Sequence, residues 1–97
     1  MTATGLATEG IVELDFVGID PETGKEGSPT AWVDQESREI VIQGWTAGPD
    51  LLDAISRIAW APDHTPGIPN GEAVVRIPAR MAQILREACD VAERAGL

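Results

Sequence analysis

Asp63 and His64 stand side by side in a proline-rich stretch, the one place in the sequence where an imidazole adjoins a carboxylate. A neutral histidine held by an aspartate is how a general base is oriented, and Ser56 or Thr65 would be the hydroxyl it activates. Nothing in the spacing selects either one. A metal centre built on the same histidine would need two or three more ligands from Asp50, Asp53 or Glu72. A small hydrolase or metal-dependent enzyme using the Asp63-His64 loop is therefore the alternative to a non-enzymatic reading. Gly18 to Glu26 invites comparison with a phosphate loop, but five residues separate Gly18 from Gly24 where four are required, and Glu26 replaces the hydroxyl. Asp20 and Glu22 would repel the phosphates. As calcium ligands, Asp20, Glu22 and Glu26 lack the alternating order that turns their oxygens inward. The expected balance is a protein with no catalytic residues, no metal and no cofactor.

Trp32, Trp45 and Trp60 are three of only four aromatic residues. Tryptophan brings large contact area and is over-represented among interface hot spots. Along one hairpin face Trp32, Val41 and Trp45, with Gln43, Asp34 and Glu39 beside them, form a candidate partner-binding stripe. The competing arrangement has a helix over that face, with both indoles in the core. Charge narrows the choice of partner. Met1 to Asp53 holds eleven of the sixteen acids and two of the seven bases, and so carries the whole net charge of −9. Such a field repels nucleic acid and anionic lipid and attracts a cationic surface. Stacking on single-stranded nucleic acid would need Lys and Arg interleaved with the tryptophans, and they are missing there.

These side chains need elements to hold them. Gly10 to Val17 alternates Val12, Leu14 and Phe16 with Glu13 and Asp15, the period of a half-buried strand. Gly18 to Pro29 reads as a long exposed loop. Thr30 to Asp34 and Glu39 to Trp45 read as a hairpin joined by two or four residues, both lengths giving one register. In it Val33 faces Ile40, Ala31 faces Ile42 and Trp32 faces Val41, while Asp34 opposite Glu39 is a like-charge pair. Gly48-Pro49-Asp50 opens a helix with Leu51, Leu52, Ile55, Ile58 and Ala59 on one stripe, stopping near Trp60 because Pro62 restricts Ala61. Ala61 to Glu72 is irregular. Ala73 to Ile77 is a short strand. Pro78 begins a helix whose apolar face is Met81, Ile84, Leu85, Ala88, Ala92 and Ala95, with Asp90 and Arg94 a favourable i,i+4 pair and Gly96 just past the end.

The order β-β-β-α-β-α defines an α+β domain in which a small, mostly antiparallel sheet packs a Val12/Leu14/Phe16 and Val33/Ile40/Ile42 face against two helices. Residues 1–9 read as a flexible leader and 10–97 as one domain. The leader lacks the basic and apolar regions of a secretory signal, and no apolar run reaches the length of a membrane span, so a cytoplasmic address is expected. Cys89, the only cysteine, cannot form an internal disulfide and is expected to be packed inside. Arg76, Arg80 and Arg86 are candidates for a small cationic patch that would permit homodimer formation.

Four strings carry a resemblance: Phe16-Val17-Gly18-Ile19-Asp20-Pro21, Ala31-Trp32-Val33-Asp34, Gln43-Gly44-Trp45, and Glu72 to Met81 (EAVVRIPARM). In these the chain resembles a family of small, acidic, uncharacterised actinobacterial proteins encoded beside helix-turn-helix regulators, and more remotely the BldB-like developmental proteins. Six Arg against one Lys fits a GC-rich genome of that kind. The resemblance spans Phe16 to Ala88 and implies a regulatory partner, such as a helix-turn-helix protein, and no enzymatic activity. The expected function is thus that of an accessory protein whose acidic, Trp-bearing hairpin face docks on a basic protein surface, without direct contact to nucleic acid or membrane.

Overall fold

In the computed structural model, residues 12–24 and 27–96 are described. The leader expected at residues 1–9, and Lys25 and Glu26 of the Gly18-to-Glu26 loop, lie outside them. Three strands, β1 (Asp15–Ile19), β2 (Thr30–Asp34) and β3 (Glu39–Gln43), form an antiparallel sheet in the order β1-β2-β3. β4 (Trp45–Thr46) pairs with β5 (Val75–Arg76) in a separate two-stranded ribbon. Helix α1 (Pro49–Ser56) lies between β4 and β5 in the chain, and α2 (Ala82–Arg94) follows a 3-10 turn at Ala79–Met81. The architecture is α+β with mostly antiparallel strands, as the sequence predicts. Among the described residues no helix is long and apolar enough to cross a membrane.

The β2–β3 hairpin has the predicted register throughout, Val33 opposite Ile40, Ala31 opposite Ile42 and Trp32 opposite Val41. Four residues connect the strands, the last of them, Arg38, in the left-handed region with φ 64°. The like-charge pair Asp34 and Glu39 is tolerated because each carboxylate is engaged by the turn. Asp34 Oδ1 accepts the backbone N–H groups of Glu36 and Ser37 at 3.0 and 3.1 Å, and the Ser37 hydroxyl donates to Glu39 at 2.8 Å. This is the local side-chain bonding that makes Asp a turn residue.

The first strand departs from expectation. It runs Asp15–Ile19, and a register shift between Phe16 and Gly18 leaves Val17 as an extra residue. A bulge of this kind puts two residues of one strand against one of its partner and so breaks the inside–outside alternation between the side chains before it and those after it. Phe16 accordingly pairs with Trp32 on the face away from α2, whereas Val17 packs on the helix side. Val12, Leu14 and Phe16 are exposed and do not line a core with Val33. Gly18, read as the start of a loop, lies inside the strand. A Cβ at Gly18 would stand 3.0 Å from the Ile84 side chain, so its bare backbone lets α2 settle on the sheet.

The core is formed by one helix and not by two. Ala31 and Val33 of β2 pack with Ala88 of α2, and Val17, Ile84, Leu85, Val91 and Ala92 surround them half-buried. Met81 is fully buried as well. This is the predicted apolar face of α2, except that Ala95 is exposed, and Gly96 (φ 79°) ends the helix as expected. Cys89 is exposed, because it follows Ala88 by a step of about 100° around the helix. Among the described residues the closed i,i+4 ion pair is Asp53–Arg57 at 3.0 Å, across the C-terminal end of α1, and Asp90 and Arg94 do not close one.

Helix α1 has Gly48 at its N-cap, Pro49 in its first turn and Asp50 beside the positive end of its dipole. It stops four residues earlier than expected, at Ser56, where the Trp60 indole N–H donates to the Ile55 carbonyl at 2.7 Å. Leu51, Leu52 and Ile55 are half-buried and Ile58 is exposed, and the sheet's broad contact is with α2. Residues 57–74 are irregular, as their three prolines demand.

Candidate functional site

The open face of the three-stranded sheet brings the predicted stripe together in part. Directly opposed residues share a face, so Phe16, Trp32 and Val41 form one row across β1, β2 and β3, on the side away from α2. The next row holds Ile19, Thr30 and Gln43, and beyond Trp32 and Val41 lie Asp34 and Glu39. Phe16 is 61% exposed and Ile19 47%, while Trp32 and Val41 are half-buried. No helix covers these side chains among the described residues. The face thus presents an apolar strip with two carboxylates along one border. Asp34 is held below the ordinary carboxylate range, first by the Ser37 backbone N–H, and it carries its charge throughout the physiological range.

Trp45 falls outside that row. The expected strand Glu39–Trp45 breaks at Gly44, which lies so close to the Arg76 backbone that a Cβ there would stand 2.6 Å from the Arg76 carbonyl oxygen. The chain turns at Gly44 into β4, where Trp45 opposes Arg76. The Arg76 guanidinium lies 5.5 Å from the centre of the indole, within cation–π range, and its Nε donates to the Thr46 carbonyl at 3.1 Å. Trp45 is half-buried beneath a cation, and Trp60 is 69% exposed in the irregular segment after α1.

The Gly18-to-Pro29 segment is only in part the exposed loop its composition suggests: Pro21, Glu22, Gly24 and Gly27 are exposed, but its two ends are anchored inside. The Asp20 side chain is completely enclosed, and Ser28, Pro29 and Thr30 are buried with it. Arg80, at the 3-10 turn, donates from Nε to Asp20 Oδ1 at 2.7 Å and from Nη2 to Oδ2 at 2.8 Å. The Thr23 hydroxyl and the Glu22 backbone N–H complete the shell. This paired fork is the strong geometry for Arg and carboxylate. The Arg80 bond drives the Asp20 carboxyl far below its ordinary range, burial opposing it, and the Thr23 and Glu22 bonds add to the lowering. Asp20 is therefore neither a calcium ligand nor a repellent for phosphate but an internal clamp between the β1–β2 connection and the start of α2. The signal was present as Asp20 and Arg80 sixty residues apart, and no local pattern joins them.

Of the expected cationic patch, Arg80 is neutralised by Asp20, while Arg76 lies over Trp45 and Arg86 donates to Gln83 at 3.3 Å, contacts with neutral groups that leave both charges in place. In the proline-rich loop His64 is exposed, its Nδ1 2.9 Å from the Pro62 carbonyl oxygen, and Asp63 adopts a left-handed backbone with φ 65°. Ser56 and Thr65 make no bond to the imidazole among the described residues. Nor do those residues contain a cluster of three His, Cys, Asp or Glu side chains able to hold a metal. A shallow groove of about 240 Å³ runs along the β1 edge of the sheet beside α2, lined by Phe16, Val17, Glu87, Asp90, Val91 and Arg94, so Phe16, paired with Trp32 on the edge strand, also borders the helix. No family model, curated protein or solved structure matches this chain.

Proposed function

We propose that this protein is a non-enzymatic accessory protein that docks the open face of its sheet on a basic protein surface, such as that of a DNA-binding regulator. The observation that carries the reading is the Phe16–Trp32–Val41 row, apolar and accessible on the side away from α2, with Asp34 and Glu39 bordering it. The net charge of −9 steers a cationic partner toward the molecule and discourages nucleic acid. Burial of Phe16 and the remainder of Trp32 then supplies the short-range free energy. Gln43 offers an amide beside the strip, although its Nε2 already donates to the Ser28 carbonyl at 2.8 Å. Trp45, off the row and under Arg76, contributes less than Trp32.

The test is a comparison of three proteins against one partner. A regulator captured from the host with the wild-type protein is titrated against wild type, Trp32→Ala and Trp45→Ala at low and high salt. Trp32→Ala is expected to weaken binding by about 2 kcal/mol, roughly thirtyfold, with a smaller loss for Trp45→Ala. Equal affinity of all three proteins in both salts would remove the proposal.

A further inference from the structure

The two outer edges of the sheet differ. β1 carries a bulge at Val17, the feature by which natural proteins twist an edge away from further pairing. β3 carries no such protection. Glu39-Ile40-Val41-Ile42-Gln43 pairs with β2 without a break over all five residues, contains no Pro, Gly or Lys, and has three β-branched residues in succession. No strand pairs with its outer edge among the described residues, and β2 and α2 are the elements packed against it. Ile40 and Ile42, on the helix side, are each about 40% exposed at this margin. α2 reaches over β1 and β2 and leaves the third strand's isoleucines partly bare.

We infer that β3 is the pairing edge for a second copy of this chain, joined antiparallel about a two-fold axis at Val41. The strand is nearly its own complement in that register. Val41 opposes Val41 of the second copy, Ile40 opposes Ile42, and Glu39 opposes Gln43, whose amide is a donor where a carboxylate would be a like charge. The pairing builds a six-stranded sheet in the order β1-β2-β3-β3-β2-β1. On the helix side each Ile40 is covered by an Ile42 of the other copy. On the open side the Phe16–Trp32–Val41 row continues without interruption into its symmetry mate. Pairing uses the edge of β3 and leaves the open face free, so it stands apart from the docking reading and needs no basic partner.

Sedimentation velocity of the full chain alone, over a wide concentration range, provides the measurement, with amide hydrogen exchange read on the same samples. The wild type is expected to self-associate, with protection of the β3 amides rising with concentration. Gln43→Glu places a carboxylate opposite Glu39 at both ends of the pairing and should weaken the dimer about tenfold. Gln43→Lys creates an opposite charge at the same two places and should leave the dimer as tight as wild type or tighter. Both variants lose the Gln43 amide bond to Ser28, so a common defect in folding moves them together while the interface moves them apart. A monomer at every concentration, or one dimerisation constant shared by all three proteins, would overturn the inference. Self-association together with a failure to bind any basic partner removes the docking proposal alone, and partner binding by a persistent monomer removes this one alone.

Discussion

At Asp20 a single carboxylate ties the β1–β2 connection to the beginning of α2, and its protonation state is coupled to folding. Its native pKa lies far below the value of about 3.9 that an unfolded chain would show. A carboxyl with a depressed native pKa contributes stability that is complete above the unfolded value and is lost as pH falls from there toward the native one. Thermal melts should therefore show little change down to about pH 5 and a progressive loss below about pH 4. Asp20→Asn is expected to melt earlier than wild type at neutral pH, with a flatter profile through the acid range, because Arg80 no longer has a charged partner. Parallel acid profiles for the two proteins would show that the clamp does not govern this behaviour. Arg80 keeps 39% of its side chain accessible, so water screens part of the attraction; the enclosed carboxylate is the more sensitive member of the pair.

Among the elements, the hairpin was legible residue by residue, because its alternation and its turn chemistry are local and agree with each other. The apolar face of α2 was legible for the same reason. β1 was not: its alternation is real, but the bulge at Val17 inverts which side meets the helix, and a bulge leaves no mark in a period of two. The division of β3 from β4 also escaped sequence reading, since Gly44 acquires its meaning from Arg76, which approaches from thirty-two residues away. A concrete expectation attaches to that glycine. Gly44→Ala forces a Cβ toward a backbone carbonyl that cannot rotate aside, and should cost about 1–3 kcal/mol while displacing the β4–β5 ribbon. The displacement would appear as altered emission from Trp45 as Arg76 leaves its ring, so an unchanged spectrum and unchanged melting temperature would contradict the assignment. The candidate site was half visible: Trp32 and Val41 could be placed on one face, but Phe16 joins them only through the inverted strand.

For the whole molecule, the charge of −9 acts on the two proposed contacts with opposite signs. Two copies repel one another at long range, so added salt should strengthen self-association, whereas docking to a cationic surface should weaken and associate more slowly. Measuring both constants across one salt series checks the pair of expectations, and a shared direction would refute the electrostatic account. Coverage of the sheet by a single helix has a further consequence for how this sequence can drift. Along β2 adjacent positions answer to different masters: Ala31 and Val33 meet α2, and Trp32 meets the open side. If the docking proposal holds, substitutions on the open side can retune recognition without touching the residues that hold the fold together.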